Sequence, residues 1–160
     1  MTVSDSVDVA ATPEQLWTQV ADPAQMPRWS PENTGAPVGA GKPLGVGETF
    51  HGTNKRGAAR WTTSCTVTAS EPGKVFAFDV TAIGIKNPRM RGRIARWSYS
   101  FEPSAAGTTV TETWTDLRTG WPDWAAAAFD KVATRGSLFS DFQRRNIAKT
   151  LKNLQADFTR

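Results

Sequence analysis

Glu112 sits in the run Val110-Thr-Glu112-Thr-Trp114, where bulky and hydroxyl residues alternate, so its carboxyl shares a strand face with Val110 and Trp114. A carboxyl on such a face loses hydration, its pKa rises, and it becomes available as an acid or base near neutral pH. Tyr99, flanked by Trp97 and Phe101, and Asn54, in phase with Phe50, fall on equivalent faces of neighbouring strands. Either could bond a ligand carbonyl or hydroxyl, or they could satisfy Glu112 and each other as a structural network. Glu112 is the best candidate for a catalytic residue, and Glu112→Gln should then alter ligand affinity or activity more than stability.

The remaining nucleophile and ligand types lead nowhere comparable. Cys65 points inward from the middle of a strand, where a thiol behaves as a small inert hydrophobe unless a base stands beside it. His51 is the sole histidine and phases to the opposite, outer face, which argues against a Ser-His-Asp or Cys-His arrangement. One His and one Cys do not make a conventional zinc or copper site, and no pattern calls for a cofactor.

A basic run, Lys86, Arg89, Arg91, Arg93 and Arg96, occupies a hairpin, with Lys55, Arg56 and Arg60 at a neighbouring turn. These are solvated loop charges, or they guide an anionic ligand, a carrier protein or a membrane surface. Exposed aromatics do not interleave with them, so nucleic acid is not favoured.

The elements that position these groups can be read in order. The 160 residues are long enough for one domain with its own core, here taken as residues 1–160. A 39% hydrophobic and 21% charged composition with net charge +4 is that of a soluble globular protein. No apolar run spans a bilayer, the first residues do not resemble a signal peptide, and one cysteine fits a reducing cytoplasm, the expected location. Val3, Val7 and Val9 mark a first strand. Thr12 and Pro13 open a helix whose face is Leu16, Trp17 and Val20, and Asp22-Pro23 opens a second short one ending near Arg28. The Gly/Pro-rich stretch 32–47 is a loop with room for a short edge strand near Val38. Five strands follow, at Glu48–Asn54, Arg60–Ser70, Lys74–Ile83, Ile94–Phe101 and Thr108–Asp116, joined by short links as an antiparallel meander. Residues 117–136 read as a loop and short helix, with Trp121 and Trp124 as core caps or gates of a pocket mouth alongside Trp29. The chain closes on an amphipathic helix, from about Ser137 to Phe158, with Ser140 and Gln143 as its capping box and Ile147, Leu151, Leu154 and Phe158 as its stripe.

The fold class expected is α+β, a sheet packed on a long final helix. Phe50, Trp61, Cys65, Phe78, Trp97, Tyr99 and Trp114 crowd the sheet's inner face, while Thr and Ser cover the other. The helix stripe, continued backwards, meets only Gly136, Ser140 and Gln143. That inner face holds more rings than the short stripe can match, and inward Asn54, Tyr99 and Glu112 make it unlike plain core. It describes a small-molecule pocket, roofed by Ser140 and Gln143.

The order Pro13…Trp17…Asp22-Pro23…Trp29, then Val46-Gly47-x-x-Phe50, Pro72-Gly73-x-x-Phe76, Trp97-x-Tyr99-x-Phe101-Glu102-Pro103 and Gly107-Thr-x-Val110-x-Glu112 resembles the polyketide cyclase/dehydrase and lipid-transport superfamily over nearly the whole chain. The resemblance implies the START-like helix-grip fold of the birch-pollen allergens, a curved sheet gripping the final helix around a cavity for lipids, sterols or polyketides. It does not imply catalysis, since members range from carriers to cyclases and aromatases. The first expectation is a binder of a hydrophobic or aromatic small molecule. The second is a cyclase or dehydratase using Glu112 with Tyr99. The third is an interaction protein with a solid interior and a basic hairpin, and neither ligand identity nor oligomeric state is legible.

Overall fold

The computed structural model describes residues 1–118, 124 and 139–159. Seven strands form one antiparallel sheet in the order β1-β7-β6-β5-β4-β3-β2. They are β1 (Thr2–Val9), β2 (Asn33–Val38), β3 (Thr49–Arg56), β4 (Ala59–Glu71), β5 (Val75–Gly84), β6 (Met90–Ser104) and β7 (Gly107–Asp116). The six strands expected are all present, and the edge strand near Val38 is β2.

Helix α1 (Pro13–Val20) follows β1, and a 3-10 helix (Pro23–Arg28) follows α1. Thr12 caps α1 through a complete capping box with Gln15, and Pro13 occupies the first turn, where its missing N–H costs nothing. Trp17 fastens α1 to the sheet by donating its indole N–H to the Val75 carbonyl at 3.0 Å. The β6–β7 turn closes against the start of α1: Gly107 has φ +130°, and a Cβ there would stand 2.5 Å from the Val9 carbonyl oxygen.

The final helix, α2, runs Phe139–Asp157. It already includes Phe139, so Ser140 lies within the helix and does not cap it. Gln143 does not close a box either, since its Oε1 accepts no hydrogen bond. The C-terminal half behaves as its spacing requires: Ile147, Leu151 and Leu154 are buried, and Arg145, Lys149 and Lys152 are exposed. This half packs on β1, with lesser contact to β7 and the 3-10 helix. Asn153 donates to the Trp29 carbonyl at 2.9 Å, the Trp29 indole donates to Asp157 Oδ2 at 3.0 Å, and Arg28 pairs with Asp157. The helix end is thereby held to the 3-10 helix and to one side of the sheet.

Trp124 is 76% exposed. Trp121 and, Trp124 apart, residues 119–136 of the loop and short helix expected over 117–136 lie outside the described residues. Among the described residues, no helix is long and apolar enough to cross a membrane.

Candidate functional site

Strand register decides which side chains meet. Tyr99 faces Glu112 across β6 and β7, Trp97 faces Trp114, Phe78 faces Trp97, Cys65 faces Val80, and Phe50 faces Cys65. Each pair lies on the inner face, because alternate residues share a side. A cavity of about 590 Å³ lies between this face and α2. That volume is within the roughly 300–1,000 Å³ range of small-molecule pockets.

Of the groups singled out in the sequence, Phe50, Asn54, Trp61, Cys65 and Phe78 line this space from β3, β4 and β5. Trp97, Tyr99, Glu112 and Trp114 line it from β6 and β7, and Gln143 from α2. Ser140 is not among the lining residues, so the roof is not the backward continuation of the Ile147 stripe. The helix residues facing the space are Phe142, Gln143, Asn146 and Thr150, a row displaced to one side of that stripe. Spacings of four among 142, 146 and 150 carry this signal. Sequence reading missed it because Asn146 and Thr150 look like solvent-facing residues. His51 does not line the space, in keeping with its outward phase.

The polar centre of the cavity is the pair Tyr99 and Glu112. The Tyr99 hydroxyl donates to Glu112 Oε1 at 2.8 Å. Glu112 is 2% exposed, and its Oε2 has no hydrogen-bond partner. Burial raises its pKa to about 8, because removing water penalises the charged form more than the Tyr99 bond supports it. Burial likewise pushes the Tyr99 hydroxyl well above its ordinary value, with the Glu112 carboxylate adding to the effect. At neutral pH Glu112 is therefore mostly a neutral acid, able to donate as well as accept. Gln143 Oε1, on α2, and Arg56 Nη1, at the end of β3, are the other buried side-chain atoms of lining residues left without a partner. Asn54 bonds neither Tyr99 nor Glu112. In Tyr99→Phe the hydrogen bond favouring ionised Glu112 is lost, so the Glu112 pKa is expected to rise further; carboxyl titration by NMR measures it.

Cys65 has its Sγ 3.8 Å from Thr63 Oγ1, and burial pushes its thiol up to about 12. No thiolate forms at neutral pH, so the cysteine is wall rather than nucleophile. Among the described residues, no three His, Cys, Asp or Glu side chains gather as metal ligands would.

One wall group was not foreseen. Arg56, at the β3 end, stacks its guanidinium 3.6 Å from the Phe142 ring centroid and bonds Glu32 Oε1 through Nε at 2.9 Å. It forms the cavity's end beside Trp61. Burial holds the Glu32 carboxyl above its ordinary value despite the neighbouring guanidinium. Met26 of the 3-10 helix and Trp29 just after it close the wall, and Ile83, Ile85 and Met90 line it from the β5–β6 hairpin.

Comparison with known proteins agrees with this architecture. No curated protein matches the sequence. A Mycobacterium smegmatis protein of known structure is 18% identical, with a TM-score of 0.67 over 97% of this chain and 88% of its own. A Chromobacterium violaceum protein is 13% identical, with a TM-score of 0.63 over 99% and 98%. A Mesorhizobium loti protein is 19% identical, with a TM-score of 0.60 over 98% of both chains. At these identities the likeness is one of fold, and the fold is the helix grip. The family model described as polyketide cyclase/dehydrase and lipid transport matches residues 1–159, and with a sheet that grips its final helix to match, the chain belongs to that family.

Proposed function

We propose that the protein binds a hydrophobic or aromatic small molecule, lipid-, sterol- or polyketide-like, in the cavity between sheet and α2. The observation that carries this reading is the unpartnered Glu112 Oε2, buried at the wall of a space of about 590 Å³ that is otherwise mainly ringed by aromatic and aliphatic side chains. A buried polar atom without a partner costs about 1–3 kcal/mol, which a ligand bonding it recovers. The neutral Glu112 acid donates to a ligand carbonyl or hydroxyl oxygen, Gln143 Oε1 accepts from a ligand hydroxyl, and the rings supply dispersion and area. Interior space of this size also speaks against a solid-cored interaction protein.

The test is native mass spectrometry of purified protein for co-purified lipid, together with titration by the neutral dye N-phenyl-1-naphthylamine. Enhanced, blue-shifted emission that saturates at one dye per chain is the expected result. An absence of both adduct and dye binding would sink the reading.

A second reading is acid–base catalysis on such a ligand, as in a cyclase or dehydratase. A specific feature favours it: a Glu112 pKa of about 8 lies close to a working pH, where a group both gives and takes protons efficiently. Turnover of a polyketide-like substrate, abolished in Glu112→Gln with dye binding kept, separates catalyst from carrier.

A further inference from the structure

The β3–β4 and β5–β6 hairpins project from the same end of the sheet, since Thr62 near the start of β4 pairs with Gly84 at the end of β5. Between them they carry Lys55, Arg56, Arg60, Lys86, Arg89, Arg91 and Arg93 and no acid. The nearby carboxylate is Glu32, which Arg56 engages; Asp116 and Arg118 pair with each other and cancel. Seven cations against one acid leave six positive charges here, although the whole chain carries only +4. The rest of the protein is therefore net negative, and the molecule is electrostatically polarised toward this end.

The β5–β6 tip adds a second feature. Ile85 is 80% exposed and Met90 is 55% exposed, on either side of exposed Lys86 and Arg89. Solvated loop charges explain the cations but not two large apolar side chains held in water among them. The turn that presents them is tight: a Cβ on Gly84 would lie 1.8 Å from the Asn87 carbonyl oxygen. Ile85 and Met90 also line the cavity, continuing inward through Ile83 and Ile94. Apolar surface thus runs unbroken from the hairpin tip into the interior.

We propose that the β5–β6 hairpin docks the protein on an anionic lipid surface, with Ile85 and Met90 entering the headgroup layer and Lys86, Arg89, Arg91 and Arg93 held over it. The cations supply attraction and orientation, and the two apolar side chains supply insertion. An acidic carrier protein would answer the charge equally well. The continuous apolar path favours a bilayer, because it lets a water-insoluble ligand pass between membrane and cavity without crossing water. That purpose rests on the cavity reading; the docking itself does not.

Flotation of the protein with vesicles tests it, using phosphatidylcholine alone and phosphatidylcholine mixed with phosphatidylglycerol. Binding is expected only on the mixed vesicles, and weakening as salt is raised. Lys86→Gln and Arg89→Gln should each lower the partition coefficient about fivefold. Neither residue lines the cavity, so both variants should bind the neutral dye as wild type does. Ile85→Ser should weaken vesicle binding while leaving retention on a cation-exchange column unchanged. No flotation with anionic vesicles, equal flotation with neutral ones, or charge variants that float like wild type would overturn the proposal. Ile85→Ser floating like wild type, with the charge dependence intact, would overturn it in favour of an acidic protein partner. Loss of dye binding with flotation retained would sink the cavity reading and leave the docking standing.

Discussion

Glu112→Gln is expected to remove a fall in stability that wild type undergoes between about pH 4.5 and pH 8. In the unfolded chain the carboxyl loses its proton near 4.5, whereas burial beside Tyr99 lets the folded protein hold it until about 8. Across that window the folded state binds one more proton than the unfolded state, so stability declines by about 1.4 kcal/mol per pH unit from this group alone. The contribution is fully present below pH 4.5, is lost on rising through the folded pKa, and is flat above it. The summed difference is on the order of 5 kcal/mol. Gln has nearly the shape of the neutral acid and does not titrate. The two proteins should therefore be alike near pH 4, and the variant the more stable above pH 8. Chemical denaturation at a series of pH values, taken as variant minus wild type, cancels the other titrating groups. Parallel curves would mean that Glu112 is solvated or ion-paired in solution, and the neutral anchor proposed for the ligand would be lost with it.

Ala95→Trp should separate hollow from solid interior by the largest margin. Ala95 faces Val80 across β5 and β6 and lines the cavity. In a packed core an added indole forces off-rotamer side chains and backbone shifts, and costs about 1–3 kcal/mol or more. With about 590 Å³ beside it the ring has somewhere to go, and its burial even contributes. The expected outcome is stability within about 1 kcal/mol of wild type with dye affinity reduced at least about tenfold, a change of about 1.4 kcal/mol in binding. Severe destabilisation would argue that the space closes in solution. Unchanged dye affinity would place the dye elsewhere.

Much of this was legible before any coordinates. Period-two alternation places Phe50, Cys65, Phe78, Trp97, Tyr99, Glu112 and Trp114 on one face, and in a sheet with one buried side that face is determined by the pleat itself. The exact partner of each residue was not, because register depends on turn lengths and bulges. β4 and β5 shift register between Ser64 and Cys65, and β5 and β6 shift between Val80 and Ala82. The second of these irregularities lets Ile83 and Ile94 line the cavity, where strict alternation from Val80 and Ala95 would turn them to the other face.

The helix shows the limit from the other side. Its apolar stripe was correct as core, yet the cavity row of Phe142, Asn146 and Thr150 carries no hydrophobic period to announce it. Ser140 fitted a capping pattern, but a four-residue match says nothing of helical residues before it, and the helix already includes Phe139. Arg56 read as a turn charge because nothing local reveals that Phe142, 86 positions later, offers its ring face.

By itself, then, the order of residues determined the elements, the apolar side of each and the isolated carboxyl among rings, since these follow from local spacing and side-chain chemistry. Tertiary structure alone decided that α2 leans on β1 and faces β3–β6 across a cavity, that Tyr99 meets Glu112, and that two hairpins bring their cations to one end of the sheet. Those are distances between residues far apart in the chain, and they depend on how packed layers settle against one another rather than on any one segment's preference.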